Sequence, residues 1–231
     1  MNLAIEPLGE RMLLLRFGDR IELASNAQVH AAAAALRAAA LPGVDELIPA
    51  YATLGLRYRP EAWLDARRAP WQALAEAVRL QLADLAPAVA VAARLVEIPV
   101  CYAPPYAPDL DHVAAHAGLD ADAVIARHSG TTYRVAMLGF APGFPYLLGL
   151  DAALHTPRRA DPRLRVPAGA VAIGGAQTGI YPRELPGGWQ IIGRTPLRLF
   201  DPARSPAALL APGDQVRFRP IDASAFEAAA R

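Results

Sequence analysis

AVAIGGAQTGIYP, residues 170–182, sets two short apolar runs around a glycine-rich turn, and similar runs recur through the second half of the chain. YRVAML (133–138), WQIIG (189–193), LRLF (197–200) and QVRFRPI (215–221) have the same character, each bounded by Gly or Pro. Short runs of this kind, separated by turn signals, predict many short strands closing a β-barrel or stacking as a sandwich. The Pro-Gly-Asp turn at 212–214 feeds the last of them. Upstream, LVEIPVCY (95–102) reads as a strand. Two short helices follow, with Asp109 and Asp120 expected as N-caps. GFAPGFPYLLGLD (139–151) is too rich in Gly and Pro for a helix and too aromatic for a solvated loop. It is expected to be a stiff loop that plugs a barrel end or walls a cleft.

The first ninety residues have another rhythm. LAIEP (3–7) and MLLLRF (12–17) predict two strands, followed by a helix capped at Ser25 or Asn26. Its stripe is Val29, Ala32, Ala33, Leu36 and Ala40. VDELIP (44–49) and TLGLRY (53–58) predict two more strands. A second helix starts near Pro70 and carries Trp71, Leu74, Val78, Leu82 and Leu85 at helical spacing. The expectation is a small α+β sandwich over 1–90, a junction within Ala86–Leu95, and a β-rich domain over 91–231.

A chain of 231 residues with 54% hydrophobic and 19% charged side chains can bury a real core. No apolar run reaches the roughly 18–20 residues that span a bilayer, so no membrane association is expected. The N-terminus, with Glu6 and Glu10, reads as the start of a folded domain rather than a signal peptide. One cysteine, Cys101, cannot form an intramolecular disulfide, and a cytoplasmic location is expected. A net charge of +1 makes no case for nucleic acid. All 23 basic residues are arginine, so lysine-based phosphate binding and Schiff-base chemistry are excluded.

Phosphate-loop, HExxH and GxSxG motifs are missing from the sequence. His112 and His116 stand four apart on a predicted helix and could face one metal. No third ligand has matching spacing, so no metal site is expected. His128 closes the second short helix, where it can cap the C-terminus or act as an acid/base group beside the next strand. Between Gly139 and Phe200, seven arginines (158, 159, 163, 165, 183, 194, 198) face three acids. Guanidinium forks suit carboxylate or phosphate, so this block, interleaved with Gln177, Thr178, Tyr181 and Trp189, predicts an anion site or partner surface.

MLGFAPGFPYLLGLD, PRRADPRLRVPAGAVAIGGAQTGIYP, PGGWQIIGRTPLRLFD and PGDQVRF together resemble the family of the B component of 5-oxoprolinase. That family is also called allophanate hydrolase subunit 1 and includes the Kip-type inhibitor of a histidine kinase. The resemblance extends over essentially the whole chain. It implies a small N-terminal α+β domain followed by a cyclophilin-like β-barrel, in a cytoplasmic protein working with two partner subunits, the C and A components. That assembly opens 5-oxo-L-proline to L-glutamate with ATP hydrolysis, and this chain is expected to be inactive alone. The alternatives it implies are a binding module that inhibits a sensor histidine kinase, or part of an enzyme acting on an allophanate- or urea-type amide. With no lysine in the chain, ATP is expected to sit at least partly on a partner.

The resemblance also matches site positions. His128, Gln177 and Thr178 are expected as catalytic or positioning groups. Arg158, Arg163, Arg194, Tyr181 and Thr195 are expected to bind substrate or anion. Phe140, Phe144, Tyr146 and Trp189 are expected to wall the cleft or meet a partner, with Phe140 nearest the core. Two departures stand out: Pro104–Pro105 where the family carries a glycine-rich acidic loop, and Ala170 where a serine is common. Loss of that acid or hydroxyl predicts binding without turnover if either takes part in the chemistry.

Overall fold

The computed structural model describes residues 3–65, 67–83 and 93–230. It divides into two compact units, 1–92 and 93–231. The expected junction falls largely on residues outside the described set, as does Leu85.

The first unit follows the predicted order: β1 (Ala4–Pro7), β2 (Met12–Arg16), α1 (Leu23–Ala39), β3 (Val44–Pro49), β4 (Thr53–Tyr58) and α2 (Pro70–Leu82). The strands form one antiparallel sheet in the order β1-β2-β4-β3. Period-2 alternation puts Leu13, Leu15, Leu54 and Leu56 on one face, with Leu13 opposite Leu56 and Leu15 opposite Leu54. That face packs against Val29, Ala32 and Leu36 of α1 and Leu74 and Val78 of α2. The start of α1 differs from expectation: its N-cap is Glu22, not Ser25 or Asn26. Asn26 is instead fully buried in the helix, where its Nδ2 donates to the carbonyls of Ala50 (3.1 Å) and Tyr51 (3.2 Å). It ties α1 to the β3–β4 turn, a tertiary use that local capping preference does not foresee.

The second unit contains β5 (Leu95–Cys101), α3 (Leu110–Ala117), α4 (Ala121–Gly130), β6 (Thr132–Leu138), β7 (Pro145–Leu148), β8 (Arg163–Val166), β9 (Ala170–Gly174), β10 (Gln177–Ile180), β11 (Leu185–Gly187), β12 (Gln190–Arg194), β13 (Gln215–Ile221) and α5 (Ala223–Ala229). Seven strands close a barrel in the order β10-β7-β6-β13-β5-β12-β9, and β8 and β11 form a separate two-stranded arm. The fold is α+β with a closed barrel, as expected. Three details differ. PYLL, within the stretch read as loop, is barrel strand β7. RLRV and LPG pair as the arm. LRLF is no strand, holding only an isolated bridge from Phe200 to Ala208. No helix among the described residues is long and apolar enough to cross a membrane.

Inside the barrel, α4 is anchored by a buried polar chain. Thr178 Oγ1 donates its only proton to the Ala172 carbonyl (3.0 Å). It must therefore accept from His128 Nε2 (3.1 Å), which makes Nε2 the protonated nitrogen. Nδ1 is then the acceptor for the Tyr102 hydroxyl at 2.8 Å. The imidazole stacks on Phe218, 4.5 Å between centroids and 19° off parallel, and Tyr133 donates to the His128 carbonyl (2.8 Å). Burial pushes the His128 pKa down to about 3, because the fully buried site disfavours the charged imidazolium by desolvation.

The folded pKa lies below the unfolded value near 6.5, so stability is complete above that pH and falls as pH drops from about 6.5 towards 3. The loss approaches about 4 kcal/mol. Urea midpoints measured from pH 7.5 to 4 should show this decline, and His128→Asn should flatten it. Thr178→Val, which strands a buried imidazole N–H, should cost about 1–3 kcal/mol at neutral pH.

Candidate functional site: an aromatic cavity on the outer wall of the barrel

Alternation along β9 and β10 divides their side chains between two environments. Val171, Ile173, Thr178 and Ile180 face the barrel interior, with Ile192 of β12 beside them. Ala170, Ala172 and Ile191 face outward beneath a second apolar cluster built from Phe144, Tyr146, Tyr181 and Trp189. Phe144 is its centre, edge-on to Tyr181 (5.2 Å, 84°) and Trp189 (5.7 Å, 85°) and 4.9 Å from Tyr146. Edge-to-face geometry of this kind makes a rigid wall at little entropic cost.

Small residues admit the rings. A Cβ on Gly174 would lie 2.6 Å from the Trp189 indole, and one on Gly187 would collide with the Tyr181 hydroxyl. The glycines of this region thus serve close approach, Gly174 from the barrel wall and Gly187 from the arm. The rings, together with Phe140, Arg158, Arg159, Pro162 and Pro186–Trp189, enclose a cavity of about 330 Å³. Arg158 lies over the Trp189 ring with its guanidinium carbon 5.8 Å from the centroid. It makes no hydrogen bond or ion pair among the described residues, so its donors are open to a ligand. Burial raises the pKa of Tyr146 and Tyr181, which keeps both phenols protonated.

The expected site residues divide into several places. Arg158, Tyr181, Phe140, Phe144, Tyr146 and Trp189 meet at this cavity. Arg163 and Arg194 do not line it, so the three-arginine anion site is not assembled. Arg163 donates to Asp109 at 2.7 Å. Arg194 donates to the Ala168 carbonyl (2.8 Å) and lies over Phe226 of α5. Thr195 is buried and closes a local turn by accepting from the Leu197 N–H. Gln177 begins β10, half-buried and away from the cavity lining. His128 and Thr178 are bonded to one another, but both are fully buried on the inner face of the wall. Their geometry makes them structural, because neither nitrogen of His128 is free to exchange a proton with a ligand outside. Phe140 also departs from expectation: at φ 66° its ring is thrown outward and 61% exposed, whereas Phe144 is the buried one.

Asp109 was expected only as a helix cap, and Arg159 only as one member of the arginine block. Asp109 is the N-cap of α3, yet its side chain makes no capping bond. One carboxylate oxygen accepts from Arg163 (2.7 Å) and Arg159 (3.3 Å), and the other from the Ile191 N–H (2.7 Å). The Asp109 N–H in turn donates to the Ile191 carbonyl (2.9 Å). This buried carboxylate holds the 157–163 segment against β12 and so sets the wall on which Arg158 and Arg159 sit. Those two arginines are shared with a second cavity of about 520 Å³, lined by Asp109, His112, His116, Pro157, Ala160, Asp161 and Gln190. Among the described residues no group of three or more His, Cys, Asp or Glu is arranged to hold a metal.

Residues 3–210 match the family model described as carboxyltransferase domain, subdomain C and D. A Bacillus subtilis (strain 168) protein, named as the B component of 5-oxoprolinase, is 42% identical over 228 residues, covering 97% of this chain and 95% of the relative. Its namesake in Escherichia coli O157:H7 is 46% identical over 217 residues, covering 92% and 94%. The crystal structure of TTHA0988 superposes with a TM-score of 0.78 at 42% identity over 92% of this chain. This chain spans only 40% of that protein.

Two substitutions check the cavity's construction. Gly174→Ala should displace the Trp189 ring, shift its emission and cost about 1–3 kcal/mol. Asp109→Ala, which leaves the buried edge of Arg163 uncompensated, should cost about 3–5 kcal/mol in chemical denaturation.

Proposed function

This chain belongs to the family of the carboxyltransferase domain, subdomain C and D, and we propose that it is the B component of an ATP-dependent 5-oxoprolinase. With the A and C components it opens 5-oxo-L-proline to L-glutamate, and it is inactive without them. The names of the two full-length relatives support the assignment of the component, and one observation supports the site. Arg158, which makes no hydrogen bond or ion pair among the described residues, overhangs an aromatic cavity of about 330 Å³. That volume is at the small end of ligand pockets, which run from about 300 to 1,000 Å³.

The chemistry of the lining suits a small cyclic acid amide. A flat lactam ring stacks on Trp189 and Tyr146, and its carboxylate takes the Arg158 fork bidentately. The protonated phenols of Tyr146 and Tyr181 serve as donors or orienting dipoles at the rim of the ring. ATP supplies the driving force when bound. With no lysine and no phosphate loop in this chain, its nucleotide moiety is held at least partly by a partner.

Coexpression of this chain with the A and C components should yield 5-oxoproline-dependent release of ADP and glutamate, whereas this chain alone should give none. A complete, folded complex without that release would refute the assignment. Arg158→Ala in the complex should lower kcat/KM by about 10- to 100-fold, the loss of one charge-assisted contact. Its thermal midpoint should hardly move, because the side chain is exposed and unpaired.

A further inference from the structure

We propose that the second cavity, between α3 and the Arg158–Arg159 pair, is a binding site for phosphate that still carries a proton. Three observations on its wall lead there. The first is the placement of donors. His112 and His116 lie four residues apart on one face of α3, and both line the cavity together with Arg158 and Arg159. Neither imidazole is hydrogen-bonded among the described residues, and both are exposed. Arg159 uses Nη1 on Asp109 and Nε on the Asp161 carbonyl, so its Nη2 is left over.

The second observation is that the acidic groups do not cancel these donors. The Asp109 carboxylate is engaged on both oxygens by Arg159, Arg163 and the Ile191 N–H. Asp161 is exposed at the rim, where water screens it. The cavity therefore presents unspent N–H groups from four cationic or imidazole side chains.

The third observation selects among anions. Gln190 lines the cavity and is 3% exposed. Its Nε2 donates to the Pro157 carbonyl (2.9 Å), an acceptor only, and this fixes the orientation of the amide. The remaining Oε1 is buried without a partner among the described residues. An unpaired buried acceptor is costly, and an O–H reaching it from the cavity, of a water or of a ligand, would satisfy it. The anion that suits this wall best brings several anionic oxygens for the Arg and His groups and one O–H for Gln190. Hydrogenphosphate has both, whereas sulfate and carboxylates lack the O–H. Because Arg158 and Arg159 line both cavities, phosphate here would lie next to the ligand of the aromatic cavity. Its origin in ATP hydrolysis rests on the 5-oxoprolinase reading, but the binding itself does not.

Calorimetric titration of the full chain alone with inorganic phosphate and with sulfate tests the site apart from any turnover. Phosphate should bind at least about 10-fold more tightly than sulfate, the worth of one satisfied buried acceptor. His112→Ala/His116→Ala, two exposed positions that leave the core intact, should weaken phosphate at least about 5-fold. Gln190→Met should bring phosphate and sulfate to equal affinity. Equal binding of the two anions by the parent chain, no phosphate binding, or binding indifferent to the histidine pair would each overturn the proposal, even if the assembled complex turned over 5-oxoproline. ADP as a competitor separates the sources. Displacement of phosphate indicates a nucleotide's terminal group, and no displacement indicates free phosphate, with the site standing in both cases.

Discussion

The arginine-bearing side of this candidate site depends on one buried carboxylate. Asp109 could have capped α3, where a carboxylate near the N-terminal dipole is commonly worth about 0.3 to 1 kcal/mol. It turns inward instead and accepts three hydrogen bonds, two from arginines and one from the β12 backbone. Burying a carboxylate is expensive unless each lone pair is met, and here the partners are what the site needs in place. Arg163 secures the base of the arm, Arg159 the segment between the cavities, and Ile191 the strand that begins beside Trp189 and Gln190. Loss of this ion would loosen both cavities together.

The second constraint is the pleat. In β10 the step from Thr178 to Gly179 crosses the barrel wall, from the imidazole relay inside to the underside of Phe144 and Trp189 outside. The two faces of one strand therefore do unlike work. Inside, a hydroxyl, an imidazole and a phenol form a chain whose proton positions are forced, which orients α4 within the barrel. Outside, glycine and alanine make a shallow floor on which aromatic rings lie. The polar residues of the inner face are accordingly bound to one another and unavailable for chemistry on the outer face.

Periodicity made most elements legible in the sequence. The alternation of Leu13 and Leu15, the helical stripe from Val29 to Leu36 and the short runs after Thr131 each carry the signal of their element. PYLL was hidden because its turns are made by Gly and Pro on both sides, so its four residues read as part of a loop. RLRV alternates over only four residues and LPG has only three, too short to read as strands, and the arm they form depends on pairing between distant segments. For the site, the arginine block was visible as a charge excess, but the destination of each arginine was not. Arg158, Arg159, Arg163 and Arg194 are equivalent by composition. They are separated only by which one finds Asp109, a carbonyl or an aromatic ring, and the hydrogen-bonding partners lie 26 to 54 residues away. His128 misled for a related reason: a histidine at a helix end can be an acid/base group or a core bridge, and burial decides.

The two departures from the family pattern differ in what they touch. Ala170 is fully buried on the outer face of β9, and the Tyr181 N–H donates to its carbonyl. Its methyl packs in the aromatic cluster, where a hydroxyl would need its own partner to avoid a desolvation cost. An alanine there favours an apolar floor and does not remove a group from the cavity lining. Pro104–Pro105 lies in the turn after β5, which continues to Tyr106, whose ring is 4.3 Å from that of Phe226 on α5. Neither proline lines the aromatic or the polar cavity. Both departures therefore leave the arginine pair, the rings and the Gln190 amide in place.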